Sequence, residues 1–108
     1  MANDGAAAEI GPGQLIGRYR VQQRLGSGAM GELYLALDEG LSRKVAIKLL
    51  AEKHREARDL RARFLREAKA CAAVSHVNVV QVFLIDEFDG RPYFSMEYLQ
   101  GIDLGRLV

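Results

Sequence analysis

Cysteine is nearly absent from this chain: Cys71 is the only one in 108 residues. One thiol cannot close an internal disulfide, and no group of Cys and His residues has metal-ligand spacing. Only two histidines occur, His54 and His76; neither is read with a nucleophile or a metal partner, and both default to structural or surface roles. An excess of one charge sign is lacking too. Lys and Arg total 15 against 14 Asp and Glu, a net charge of +1. That balance gives no bulk electrostatic support to nucleic-acid or membrane-surface binding. No apolar run approaches the ~20 residues that a membrane helix needs. The start, Met1 to Gly13, has neither a basic region nor an apolar one and does not read as a signal peptide. The absences fit a soluble domain in the reducing cytoplasm. An anchor beyond Val108 would not be visible in this sequence.

What is present is enough apolar material for one modest core, at 49% hydrophobic and 27% charged residues. Residues 1–17 are rich in Ala and Gly without helical or strand period, and predict a disordered leader. From Arg18 the pattern changes. Tyr19, Val21 and Leu25 alternate, interrupted by the polar Gln23, and Leu33, Leu35 and Leu37 alternate again. Lys44 to Leu50 is a β-branched third strand after the turn residues Asp38-Glu39-Gly40. From about Arg55 to Val74, Leu60, Phe64, Ala68 and Cys71 recur on one helical face, with Arg58, Arg61, Arg63, Arg66 and Lys69 on the others. Val79 to Phe88 and Pro92 to Tyr98 read as two more strands joined by Asp89-Gly90-Arg91. The expected class is α+β, with five antiparallel strands and one helix.

Two motifs carry the chemistry. Gly26-Ser27-Gly28-Ala29-Met30-Gly31 is a G-x-G-x-x-G loop, followed at short range by Val45-Ala46-Ile47-Lys48. Glycines let backbone N–H groups close over phosphates because no Cβ blocks the approach. Alone, the loop also suits a dinucleotide-binding turn, but there it must open a helix. Here Glu32 to Asp38 alternates as a strand, so the loop sits in a β-hairpin. Lys48 lies in an apolar strand, where an ammonium is costly unless an anion meets it. Ala46 shares its face and is small enough for a flat base to lie against the sheet.

The pair resembles the ATP-binding lobe of protein kinases, and the small residues after Glu67 resemble the bacterial members of the eukaryotic-like serine/threonine kinases. The resemblance covers roughly Tyr19 to Val108 and implies a kinase N-lobe with one αC-type helix and the hinge, over residues 18–108. It implies ATP contacts from Leu25, Gly26, Ser27, Gly28, Ala29, Met30, Gly31, Leu33, Ala46 and Lys48. Glu67, 19 residues after the lysine (67 − 48), would form the ion pair that orients Lys48. Without the strand motif, pairing of Glu67 with Arg63 or Lys69 along the helix is the favoured reading.

In Met96-Glu97-Tyr98-Leu99-Gln100-Gly101-Ile102-Asp103, Met96 resembles the gatekeeper. The Glu97 carbonyl and Leu99 N–H would then meet the adenine edge. Asp103 would lie near the ribose, beside its alternative reading as a helix N-cap. His76-Val77-Asn78-Val79-Val80 resembles the family's H-P-N-I-V connection, with valine for proline.

No H-R-D, D-F-G or A-P-E motif occurs in these 108 residues. The aspartate base and the Mg²⁺ ligands are therefore expected outside this chain, which alone should be inactive. The implied partners are ATP and, in the complete enzyme, Mg²⁺ and a protein substrate. A stand-alone, non-catalytic lobe that binds nucleotide or a protein through its basic helix is the rival reading. Without a second lobe, apolar surface around Phe64, Cys71, Val82 and Met96 is expected to be exposed and to drive self-association.

Overall fold

The computed structural model describes residues 10–73 and 81–98. Six strands form one antiparallel sheet: β1 Leu15–Ile16, β2 Tyr19–Ser27, β3 Gly31–Asp38, β4 Arg43–Leu50, β5 Val82–Phe88 and β6 Arg91–Glu97. Their spatial order is β1-β2-β3-β4-β6-β5. Between β4 and β5 the chain makes a 3₁₀ turn, Glu52–His54, and the helix α1, Arg58–Ala73.

The two-residue period of β4 sorts the interior into two clusters. Val45, Ile47 and Leu49 join Ile16, Tyr19, Val21, Tyr34, Ala36 and Tyr93 on one side. Ala46 and Leu50 join Leu33, Phe64, Ala68, Phe94 and Met96 on the other. Phe64 docks α1 on the sheet, its ring centroid 5.5 Å from that of Phe94 at a tilt of 54°. The alternation of β2 fails at the polar Gln23 because the strand is irregular there: its register on β3 shifts between Val21 and Gln23, and again between Arg24 and Gly26. β5 and β6 turn at Asp89-Gly90, both with positive φ (54° and 76°), as the tight hairpin turns that match strand twist require.

Four expectations need correction. The sheet has six strands rather than five, because Leu15–Ile16 pairs with Arg20 and Tyr19. The leader expected over 1–17 is for the same reason structured in its last part. Gly13 N–H donates to the Val21 carbonyl and Val21 N–H to the Gln14 carbonyl, each at 2.8 Å. Ile16 is fully buried, and Ile10 packs on the same cluster. Burial of two isoleucines and pairing to β2 order a stretch too short to show a period.

The third correction concerns the exposed apolar surface. Phe64 and Met96 are 0% and 2% exposed, so neither offers a sticky patch. Val82 packs half-buried against the same cluster, and the Cys71 side chain lies outside the described residues. Among those residues the exposed large hydrophobics are Leu15 and Leu41. The helix also begins later than expected, at Arg58. Residues 55–57 before it follow the 3₁₀ turn, with Arg55 N–H donating to the Glu52 carbonyl and Ala57 N–H to the His54 carbonyl, each at 3.0 Å.

Candidate functional site

The glycine loop closes the β2–β3 hairpin. Ser27 pairs with Glu32 in the last rung, and Gly28 N–H donates to the Gly31 carbonyl at 2.8 Å. This leaves Ala29 and Met30 at the tip. Gly31 is glycine for a reason of packing: a Cβ there would collide with the Leu49 carbonyl oxygen of β4. The tip is tied back to the chain beyond β4. Ala51 N–H donates to the Met30 carbonyl at 2.8 Å, and His54 Nε2 lies 2.9 Å from the Ala29 carbonyl oxygen.

Lys48 sits between Leu33 of β3 and Phe94 of β6 in the ladder. It is 6% exposed. Its Nζ stands 3.8 Å from Glu67 Oε1 of α1 and 5.8 Å from the centroid of the Phe64 ring. At that separation the two groups form an ion pair rather than a hydrogen bond. The Glu67 side chain is about half exposed. A largely buried ammonium is costly to leave without an anion, and the helix that Phe64 anchors brings a carboxylate to it.

Ala46 pairs directly with Met96 across β4 and β6, and Leu33 belongs to the same buried cluster. Leu25, Met30 and Tyr98 pack against this cluster from its rim. The structure therefore gathers Leu25, Met30, Leu33, Ala46, Lys48, Glu67 and Met96 on one side of the sheet, with the glycine loop at its edge. Glu97 ends β6 opposite Val45, and its N–H donates to the Gln81 carbonyl at 2.8 Å. Leu99, Asp103 and His76 lie outside the described residues.

Sequence reasoning missed a buried arginine behind the loop. Arg91, at the start of β6, is 2% exposed. Its Nε donates to the Leu50 carbonyl at 2.9 Å and its Nη2 to Glu32 Oε1 at 3.0 Å, with Glu52 Oε1 3.6 Å from Nε. Tyr34 Oη donates to the same Glu32 oxygen at 3.1 Å. Burial, reinforced by the Glu32 charge and this hydrogen bond, pushes the Tyr34 phenol up to about 12. Arg91 thus joins the end of β4, the 3₁₀ turn and the first residues after the loop. Arg61 does the same for α1, donating to the Gly90 carbonyl and, at 2.8 Å, to Glu87 Oε2. Nothing local marks Arg91, since its partner Glu32 is 59 residues away in sequence.

No three His, Cys, Asp or Glu side chains that could hold a metal come together among the described residues. Nor is any described helix long and apolar enough to cross a membrane.

A curled antiparallel sheet crossed by one helix, with a glycine loop in its β2–β3 hairpin, is the architecture of the protein kinase N-lobe. The chain belongs to the protein kinase domain family, which residues 19–108 match. Its relatives include the serine/threonine-protein kinase PknJ of Mycobacterium tuberculosis, 39% identical over 95 residues that are 88% of this chain and 16% of PknJ. PksC of Streptomyces coelicolor is 40% identical over 113 residues, covering all of this chain and 20% of PksC. PknD of Chlamydia caviae is 43% identical over 84% of this chain and 10% of PknD. The chain thus spans a fifth or less of the length of these curated relatives. Among solved structures, the Mycobacterium tuberculosis PknI kinase domain superposes with a TM-score of 0.72 at 32% identity, over 92% of this chain and 40% of that one.

Proposed function

We propose that this chain is the ATP-binding portion of a serine/threonine protein kinase, which in the complete enzyme transfers the γ-phosphoryl group of ATP to protein Ser/Thr. The observation that carries the reading is Lys48 Nζ held 3.8 Å from Glu67 on the loop side of the sheet. Phosphoryl transfer asks mostly for positioning and charge neutralisation, and these residues supply both. Lys48 holds the α/β-phosphates, and Glu67 fixes the direction of its ammonium. Gly26, Ser27, Gly28, Ala29, Met30 and Gly31 cover the phosphates with backbone donors. Leu25, Leu33, Ala46 and Met96 form the apolar floor for the base, a surface typical of small-ligand sites. Glu97, Leu99 and Asp103 complete the adenine and ribose contacts by resemblance. Magnesium would supply further neutralisation of the phosphate charge; the residues that would hold it and the catalytic base belong to motifs that these 108 residues do not contain. The working location on this reading is the cytoplasm, where ATP and protein substrates are both available.

Radiolabel transfer from ATP to a general protein substrate tests the proposal in the full-length gene product. Transfer should be lost in Lys48→Met. Retained transfer in that variant would overturn it.

A further inference from the structure

The tip of the glycine loop is not left to itself. Its two carbonyls are both held by the segment that follows β4: Met30 by the Ala51 N–H at 2.8 Å and Ala29 by His54 Nε2 at 2.9 Å. A carbonyl only accepts, so Nε2 carries the proton in this contact, whether the ring is neutral or charged. The histidine is presented from a fixed backbone. His54 N–H donates to the Ala51 carbonyl at 2.9 Å, and the His54 carbonyl accepts from Ala57 N–H at 3.0 Å. The preceding residues are braced in turn, because Arg91 donates to Leu50 and lies 3.6 Å from Glu52.

We propose that His54 is a positioning residue for nucleotide phosphates, acting through the Ala29 carbonyl. The inference rests on the reading of this site as an ATP site. A phosphate needs donors facing it, and a carbonyl oxygen turned toward it repels it. In a trans peptide the C=O and the following N–H point in opposite directions, and none of the described peptides is cis. Holding the Ala29 oxygen toward His54 therefore directs the Met30 N–H away from the histidine and stops that peptide from turning over. Gly28, immediately before Ala29, adds no side chain to restrain this peptide, so the restraint comes from outside the loop. His54 never meets the nucleotide. It prepays ordering that the loop would otherwise undergo on binding.

The test uses the full-length kinase, with ATP and adenosine as probes and thermal melting as the control for folding. His54→Ala should weaken ATP about fivefold, the equivalent of about 1 kcal/mol, and raise KM for ATP with little change in kcat. Adenosine has no phosphates under the loop, and its affinity should stay within about twofold of wild type on the same scale. His54→Gln carries an amide N–H that reaches as far as Nε2 and should restore ATP affinity. Equal weakening of ATP and adenosine in His54→Ala would overturn the inference, because a general loss of structure does that. So would unchanged ATP affinity in His54→Ala while Lys48→Met weakens ATP, which leaves the ATP site itself standing. Unchanged ATP affinity in both variants would overturn the site and the inference together.

Discussion

Lys48 and Glu67 show how much a single residue depends on its placement. The lysine is 8% exposed by side chain and the glutamate 52%, so the carboxylate gives up less hydration than the ammonium does. Such a pair contributes little to stability on balance, and its use lies in direction. Glu67→Gln in the full-length kinase should therefore lower kcat by tenfold or more, about 1.4 kcal/mol in the barrier, while nucleotide affinity changes far less. An interaction realised mainly in the transition state behaves in this way. Steady-state kinetics beside direct ATP binding measures the split, and turnover near wild type would make Glu67 an ordinary surface residue of α1. Gly31 gives a second residue-scale expectation. Since a Cβ would meet the Leu49 carbonyl oxygen, Gly31→Ala must push β3 from β4 and should cost about 1–3 kcal/mol. The midpoint of urea denaturation reads it, and a midpoint equal to wild type would mean the strands part without strain.

At the scale of elements, β4 was legible and the brace behind the loop was not. The alternation Val45-Ala46-Ile47-Lys48-Leu49-Leu50 fixes which side chains share a face, and the structure puts Ala46, Leu50 and the Lys48–Glu67 pair on the helix side accordingly. Phe64 and Ala68, read from helical spacing, are both fully buried. Leu15–Ile16 escaped because two residues carry no period. Arg91 escaped because its meaning lies in the distant Glu32, Leu50 and Glu52, and a sequence pattern registers only near neighbours. The same reason hid His54, whose partner Ala29 is 25 residues earlier. The brace makes its own prediction. Arg91→Met leaves Glu32 without its buried cation, and breaking such a pair from one side costs about 3–5 kcal/mol. Glu32→Gln in the same background should recover part of that loss, since the stranded charge is then gone. A double-mutant cycle on denaturation midpoints measures the coupling. Additive losses would mean that Arg91 matters only through its bond to the Leu50 carbonyl.

For the whole molecule, the side of the sheet that carries Tyr34 and Tyr93 has a weakness at high pH. Tyr93 lies in the cluster formed with Ile16, Tyr19 and Val45, and Tyr34 in the same cluster faces Glu32 through its hydroxyl. Both phenols are pushed from 10.0 up to about 12, each chiefly by burial. Glu32 adds to the effect at Tyr34, while Asp86 and Tyr19 add to it at Tyr93. The unfolded chain, with phenols near 10, therefore releases these protons before the folded one does. Stability is fully present below pH 10 and falls as the pH rises toward 12, because the folded state then binds more protons than the unfolded state. Tyr93→Phe keeps the ring and removes one of the two titrations, and it should flatten the decline between pH 10 and 12 without altering the plateau below. Denaturation midpoints of wild type and variant across pH 8 to 12 make the comparison. An identical decline in Tyr93→Phe would mean that the Tyr93 phenol titrates no differently in the folded and unfolded chains.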